Sequence, residues 1–199
     1  IVTNKENIKE IKKIFEKNNK NNIKIILQKK NKGMAIAIQN GLIFTKTKYF
    51  CTIWGDQIGL SKSTISKSIN LHQKNIYCVT FPIYFKKKPY VDISLKNKTF
   101  LDKITQSRET SIVKMKGHTD CGIFCCDTIF IKKKLNAYIK NKKIITKKTL
   151  EHDFLLSLNL LAKNHKIRTF KTFNKKDTIG INQLKDLETS KTLTVPLHS

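Results

Sequence analysis

Tyr49-Phe50-Cys51-Thr52-Ile53-Trp54-Gly55-Asp56-Gln57-Ile58 is the stretch on which the fold turns. Its first six residues are nearly all apolar, as in a strand covered on both faces by helices. The run stops at a glycine, and a carboxylate follows at once. In open α/β sheets ligands gather outside the carboxyl ends of strands, so Asp56 stands where a ligand would be met. A lone carboxylate there suits Mg²⁺, which takes one or two protein oxygens and leaves other positions to phosphates and water. An aspartate in this place also serves as a turn or N-cap residue ahead of a helix. The residues alone leave both readings open.

The flanks support an α/β domain. Upstream, Glu6–Glu16 carries Ile8, Ile11, Ile14 and Phe15 at helical spacing with lysines opposite. Ile23–Gln28 is short and β-branched, hence a strand, and Gly33 turns the chain into a small-residue helix over Met34–Leu42. Downstream, Ser61 or Ser63 caps a helix with Ile65, Ile69 and Leu71, and strands are expected at Asn75–Phe81 and Ile83–Phe85, parted by Pro82. Val91–Leu95, Thr99–Thr105 and Ser111–Lys116 alternate as antiparallel strands do, with turns at Lys96-Asn97-Lys98 and Gly117. Gly122–Cys126 and Ile167–Phe173 read as strands, Ile129–Tyr138 and Glu151–Ala162 as helices, and Leu184–Leu187 as the start of another. Strand and helix alternate at both ends around the antiparallel middle. The expected architecture is a three-layer, Rossmann-like α/β domain over residues 1–188, with a mostly parallel mixed sheet and an antiparallel insertion. A tail, 189–199, carries no apolar period. Gln28, Asp56 and the residues after Phe173 are expected to share one crevice.

Charge narrows the function less than it first suggests. The 199 residues hold 40 basic against 14 acidic side chains, a formal charge of +26. Such a balance fits phosphate neutralisation. Only Arg108 and Arg168 are arginines, however, and lysine lacks the fork that reads guanine edges and clamps phosphates. The lysines accompany abundant Asn and Ile, so the charge reads as composition on a solvated surface, and nucleic acid is not the expected partner. No apolar run reaches the length of a membrane span. The five cysteines include no C-x-x-C pair, and four sit in apolar runs. They read as reduced core residues of a cytoplasmic protein rather than ligands of a zinc site with His118 or His152.

Ile26-Leu27-Gln28, Lys32-Gly33-Met34-Ala35-Ile36-Ala37, Trp54-Gly55-Asp56-Gln57 and Ile179-Gly180-Ile181-Asn182-Gln183-Leu184-Lys185-Asp186-Leu187 follow one another in that order. Together they resemble the nucleotidyltransferases that make activated sugars. The likeness is to the N-acetylglucosamine-1-phosphate uridylyltransferase domain and the looser molybdopterin-guanylyltransferase-like group, over roughly residues 1–188. It implies transfer of a nucleoside monophosphate from a nucleoside triphosphate, pyrimidine favoured, to a sugar phosphate or similar phosphorylated acceptor, releasing pyrophosphate for glycan precursor synthesis. By the same resemblance Gln28 hydrogen-bonds the base and Gly33 lets backbone approach it. Gly55 and Asp56 form the Gly-Asp motif, whose aspartate binds Mg²⁺ at the catalytic centre with Asn182 as second ligand. Asp120 falls where the uridylyltransferases have an asparagine contacting the sugar, and Glu151 matches a glutamate reaching sugar hydroxyls. Tyr90 stands where they carry a glycine-rich loop.

Each residue also has a plainer role within reach. Gln28 suits a strand end in water, Asn182 a cap or turn, Asp120 a turn, and Glu151 a first helical turn facing the dipole. The family opens with a strand and a loop of the type Gly-x-Gly-x-Arg-x-x-Pro-Lys that cradles the triphosphate, and this sequence contains none. Ile1-Val2-Thr3 aligns with the strand after that unit, which implies about 50 residues upstream. The polypeptide is therefore expected to be inactive or very weak by itself. A lysine-rich α/β module binding RNA or anionic surfaces, or an inactive remnant, is the alternative from a different class.

Overall fold

The structure is a computed structural model that describes residues 1–17, 22–30, 32–75 and 77–181. Leu184–Leu187 and the 189–199 tail lie outside the described residues. The chain groups into two compact units, Ile1–Lys48 with Thr128–Leu158, and Tyr49–Asp127 with Asn159–Ser199.

In the first unit β1 (Val2–Thr3) pairs in parallel with β2 (Ile26–Leu27), Val2 opposite Ile26. Helix α1 (Ile8–Lys17) joins them; it turns lysines to water and buries no residue fully. Helix α2 (Met34–Leu42) begins at Gly33 and buries Ala35, Ile38 and Leu42. Helix α5 (Thr128–Lys140) packs beside α2 and buries Ile131 and Leu135, three and four residues after fully or nearly buried neighbours, the spacing of one helix face. The strand expected over Ile23–Gln28 is only two residues long, because register with the equally short β1 covers Ile26 and Leu27 alone, the Gln28 N–H donating to the Thr3 carbonyl at 2.8 Å just beyond it.

The second unit is built on a seven-stranded sheet. Its strands are β3 (Tyr49–Ile53), β4 (Val79–Lys87), β5 (Val91–Lys96), β6 (Phe100–Gln106), β7 (Lys116–Asp120), β8 (Ile123–Asp127) and β9 (Arg168–Lys171), in the order β3-β8-β4-β7-β5-β6-β9, with β4 also pairing β9. Helix α3 (Lys62–Gln73) starts where the Ser61 side chain accepts the Thr64 N–H at 3.2 Å, as the N-cap reading requires. Phe81, Ile83, Ile123 and Phe124 form its core, with the Phe81 and Phe124 rings 5.0 Å apart. Helix α6 (Phe154–Ala162), whose residues up to Leu158 belong to the first unit, follows that unit's bridge of Ile145 with His152.

A mostly parallel sheet is not what forms. In the seven-stranded sheet only β4 and β9 pair in parallel; the other pairings are antiparallel. The reason is insertion. β8 lies antiparallel to both β3 and β4, so those two strands run the same way, as a strand–helix–strand crossover demands, but a later strand separates them. Alternation of elements reports direction and is blind to such an insertion.

Three local expectations also change. Pro82 does not divide two strands: β4 runs through it. One edge of β4 changes partner there, from β8 at Val79 and Thr80 to β7 from Ile83 onward, so the missing N–H falls in a gap of the ladder. Ser111–Lys116 is not a strand, because the short helix α4 (Ser107–Thr110) closes on Ser111 in a left-handed conformation. Gly117 then lies within β7 instead of turning the chain; what calls for a glycine there is space, because a side chain would collide with the Asp92 carboxylate.

Candidate functional site

The first unit gathers three of the candidates. Gln28 is 9% exposed at the end of β2, and its side-chain N–H reaches the Gly33 carbonyl at 3.4 Å. Gly33 has φ +94°, which L side chains avoid, and a Cβ there would strike the His152 carbonyl and approach Glu151 Cβ to 2.9 Å. Its freedom is thus already used by the protein, since His152 and Lys32 backbone groups bond across the same turn. Glu151 is half-buried. It precedes α6 by three residues, so it is no first-turn glutamate; the Thr146 hydroxyl accepts its N–H at 3.0 Å. Gln28, Gly33 and Glu151 therefore stand together.

The second unit gathers the carboxylates. Trp54 donates its backbone N–H to the Gly122 carbonyl at 2.9 Å, carrying β3 to the Gly55-Asp56 corner. A side chain at Gly55 would meet nothing within 4 Å, so that glycine leaves the corner open. Gln57 bridges Gly180, and the Ile58 N–H and Asp56 carbonyl bond Ile179 and Ile181 on either side. The segment ahead of Asn182 is thereby clasped to Asp56, while Asn182 itself lies outside the described residues.

Asp120 ends β7 at the same corner. Burial raises its carboxyl pKa above the usual carboxylate range, and the Asp56 charge adds to this; hydrogen bonds from the Gly122 N–H, at 2.8 Å, and the Trp54 side chain oppose it. Two carboxylates thus share one corner with an electrostatic penalty that a divalent cation would relieve. Among the described residues no three His, Cys, Asp or Glu side chains gather as a metal cluster. Two carboxylate groups suit Mg²⁺, which retains water and substrate oxygens. Burial also pushes the Cys121 thiol well up, with the Asp120 and Asp177 charges adding, so beside the carboxylates it is a filler and not a nucleophile.

Two supports escaped the sequence reading. Asp177 is wholly buried; its carboxylate accepts from the Ser61 N–H at 2.9 Å and from the Thr64 and Thr172 hydroxyls at 2.6 and 2.7 Å. Burial alone would raise its pKa, but these bonds hold it below the ordinary value. It anchors the turn Lys175–Thr178 that delivers residues 179–181 to Asp56. The Asn174 side chain accepting from the Lys176 N–H at 3.1 Å is the local turn signal that marks it. Gln57 is the second: its side chain fills the space beside Gly122, φ +70°, and Gly180.

No protein-family model matches the chain, and no curated protein does. Solved structures do. A protein assigned as a glucose-1-phosphate thymidylyltransferase from Bacillus anthracis, in complex with sucrose, superposes with a TM-score of 0.72 at 15% identity, covering 97% of this chain and 74% of that one. The 4-diphosphocytidyl-2C-methyl-D-erythritol synthase from Anaerococcus prevotii gives 0.66 at 15% identity, over 96% and 76% of the chains. HddC from Yersinia pseudotuberculosis complexed with GMP-PN gives 0.61 at 14% identity, over 94% and 74%. This chain has the fold of these proteins. Among the described residues no helix is long and apolar enough to cross a membrane.

Proposed function

We propose that the chain is a nucleotidyltransferase, working in the cytoplasm, that moves a nucleoside monophosphate from a nucleoside triphosphate to a sugar phosphate or related phosphorylated acceptor in glycan precursor synthesis. The observation that carries this reading is the corner at the carboxyl end of β3. There Asp56 is fixed by its own backbone and stands near a second carboxyl. The shared fold gives the reading its reaction class.

Attack by an acceptor phosphate oxygen on the α-phosphorus forms one P–O bond, breaks the bond to the bridging oxygen and releases pyrophosphate. Positioning and charge neutralisation dominate such a step. Asp56, with Asn182, would hold Mg²⁺, whose charge offsets that of the phosphates. Gln28 supplies an amide that both donates and accepts, which suits a pyrimidine edge, and its bond to Gly33 uses one of its two N–H groups. Gly33 and Gly55 would admit the nucleotide, and Asp120 and Glu151 would meet the acceptor's hydroxyls.

Pyrophosphate release from a nucleotide panel with Mg²⁺ and phosphorylated sugars tests the reading. Release, weak from this polypeptide by itself, is expected to favour pyrimidine nucleotides and to disappear in Asp56→Ala while the far-UV circular dichroism is unchanged. Equal release in Asp56→Ala contradicts it.

A second reading, a non-catalytic binder of RNA or anionic surfaces, draws on one observation. A groove of about 310 Å³ in the second unit is lined by Lys98, Lys114, Lys116, Lys171, His118 and Asp92, with Lys114 paired to Asp92 at 2.6 Å. On that reading affinity for an RNA oligonucleotide falls steeply with salt and is indifferent to Asp56→Ala.

A further inference from the structure

Two thiols meet across β3 and β8. Cys51 and Cys125 are directly opposed in the antiparallel register, and their Sγ atoms lie 2.8 Å apart. Opposed residues of such a pair have Cα atoms about 4.5–5.5 Å apart, inside the span of about 4.4–6.8 Å that a disulfide bridges. Bond formation therefore asks for no shift of either strand. The partners differ in access, for Cys51 is exposed and Cys125 is 1% exposed. This corrects the expectation that the apolar run around Cys51 buries it. The hydrogen bond from Cys125 holds the Cys51 thiol below its ordinary pKa, against the effect of burial, so the accessible sulfur is also the one more readily ionised.

Cys126, the next residue, faces the other side of the sheet opposite Phe50 and is fully buried, and Cys121 is buried as well. Cys78 is half-buried, so Cys51 is the most exposed of the five and meets an oxidant from solution first, with Cys125 as the thiol placed to complete the exchange.

We propose that Cys51 and Cys125 form a thiol–disulfide couple, a modification site oxidised by small-molecule disulfides of the glutathione class. The Cys51 thiolate attacks one sulfur of glutathione disulfide; its S–S bond breaks, and one glutathione leaves and takes up a proton. The Cys125 thiol gives up its proton and its sulfur attacks the Cys51 sulfur of the mixed disulfide, forming the Cys51–Cys125 bond and expelling the second glutathione. Two protein thiols are oxidised and one glutathione disulfide is reduced to two thiols. The bond ties β3, the strand that leads to Asp56, to β8, the strand that follows Asp120, fixing their register.

The test is oxidation of the chain with glutathione disulfide, alkylation of the remaining thiols under denaturing conditions, and peptide mapping by mass spectrometry. The expected product is lighter by two hydrogens, with the Cys51 and Cys125 peptides joined and Cys78, Cys121 and Cys126 alkylated. Cys125→Ser should stop at a glutathione adduct on Cys51. Cys51→Ser, a change at an exposed position that keeps the circular dichroism spectrum, should give no joined product. Five alkylated cysteines, a lasting glutathione adduct on Cys51 of the unaltered chain, or a different joined pair would each overturn the proposal.

Discussion

Ile181 donates its backbone N–H to the carbonyl of Asp56 at 2.9 Å. The bond belongs to a short antiparallel clasp in which Gln57 faces Gly180 and the Ile58 N–H reaches the Ile179 carbonyl at 3.2 Å. Main-chain bonds hold the position of Asp56. The same clasp brings Ile181 beside Asp56, and the proposed chemistry uses Asn182, the next residue in sequence.

Asp177 supports the clasp from behind, so its removal is expected to be costly. Asp177→Ala leaves the Ser61 N–H and the Thr64 and Thr172 hydroxyls without their acceptor and should lower stability by roughly 2–4 kcal/mol. Asp177→Asn should cost less. Urea unfolding followed by circular dichroism measures both, and a loss below about 0.5 kcal/mol for the alanine variant would mean that the network is dispensable.

Gly33→Ala is expected to cost about 2–4 kcal/mol, because φ +94° is strained for alanine and the methyl group would overlap the His152 carbonyl. Gly55→Ala, where a Cβ meets nothing within 4 Å, serves as the contrast and should change stability by less than about 1 kcal/mol. Thermal unfolding of the two variants side by side reads the difference.

Stability should fall in two stages as pH drops. Burial lowers the pKa values of His72, His118 and His152, with Lys171 adding at His118 and Lys32 at His152. The unfolded chain therefore takes up protons first: these contributions are complete above the unfolded histidine value of about 6.5 and are lost as pH falls from there through the folded values. Asp177, also depressed in the folded state, contributes above the unfolded value of about 3.9 and loses that contribution as pH falls through its lower folded value. Urea midpoints between pH 8 and pH 3 test this, and a midpoint flat from pH 7 to pH 5 would contradict the first stage.

Much of the fold was legible where periodicity sets structure within one segment. The α2 helix over Met34–Leu42, the Ser61 cap and the existence of a strand before Gly55 all follow from local pattern. The expected covering of that strand on both faces does not hold, since Cys51 and Ile53 are exposed and the other three residues are half-buried. What pattern cannot carry is the choice of neighbour. β8 was readable as an apolar strand, yet nothing in Ile123–Asp127 states that it inserts between β3 and β4 or runs against both. For the candidate site, Asp56 stood out because a glycine and a carboxylate end an apolar run. Asp177 did not, since its partners Ser61 and Thr64 lie more than a hundred residues away in sequence.

Asp120 offers the opposite sign of pH dependence. Its pKa is raised in the folded state, so the carboxylate opposes folding once pH exceeds the unfolded value of about 3.9. Asp120→Asn keeps an oxygen to accept the Gly122 N–H and removes the charge beside Asp56. The variant should be more stable at pH 7 by up to about 1 kcal/mol, with the advantage vanishing near pH 3, where the native side chain is neutral too. Paired urea titrations at the two pH values check it.

The central claim is that Asp56 holds a divalent cation together with a nucleoside triphosphate. Trp54, the only tryptophan of the chain, bonds Asp120 two residues before Asp56, and its indole N–H resonance is therefore a local reporter. The most direct measurement adds Mn²⁺ with UTP to the chain and follows that resonance by NMR. The account predicts paramagnetic broadening of the Trp54 signal in the unaltered protein and its loss in Asp56→Ala, whose spectrum otherwise stays folded. Equal broadening in both proteins, or none in either, would contradict it.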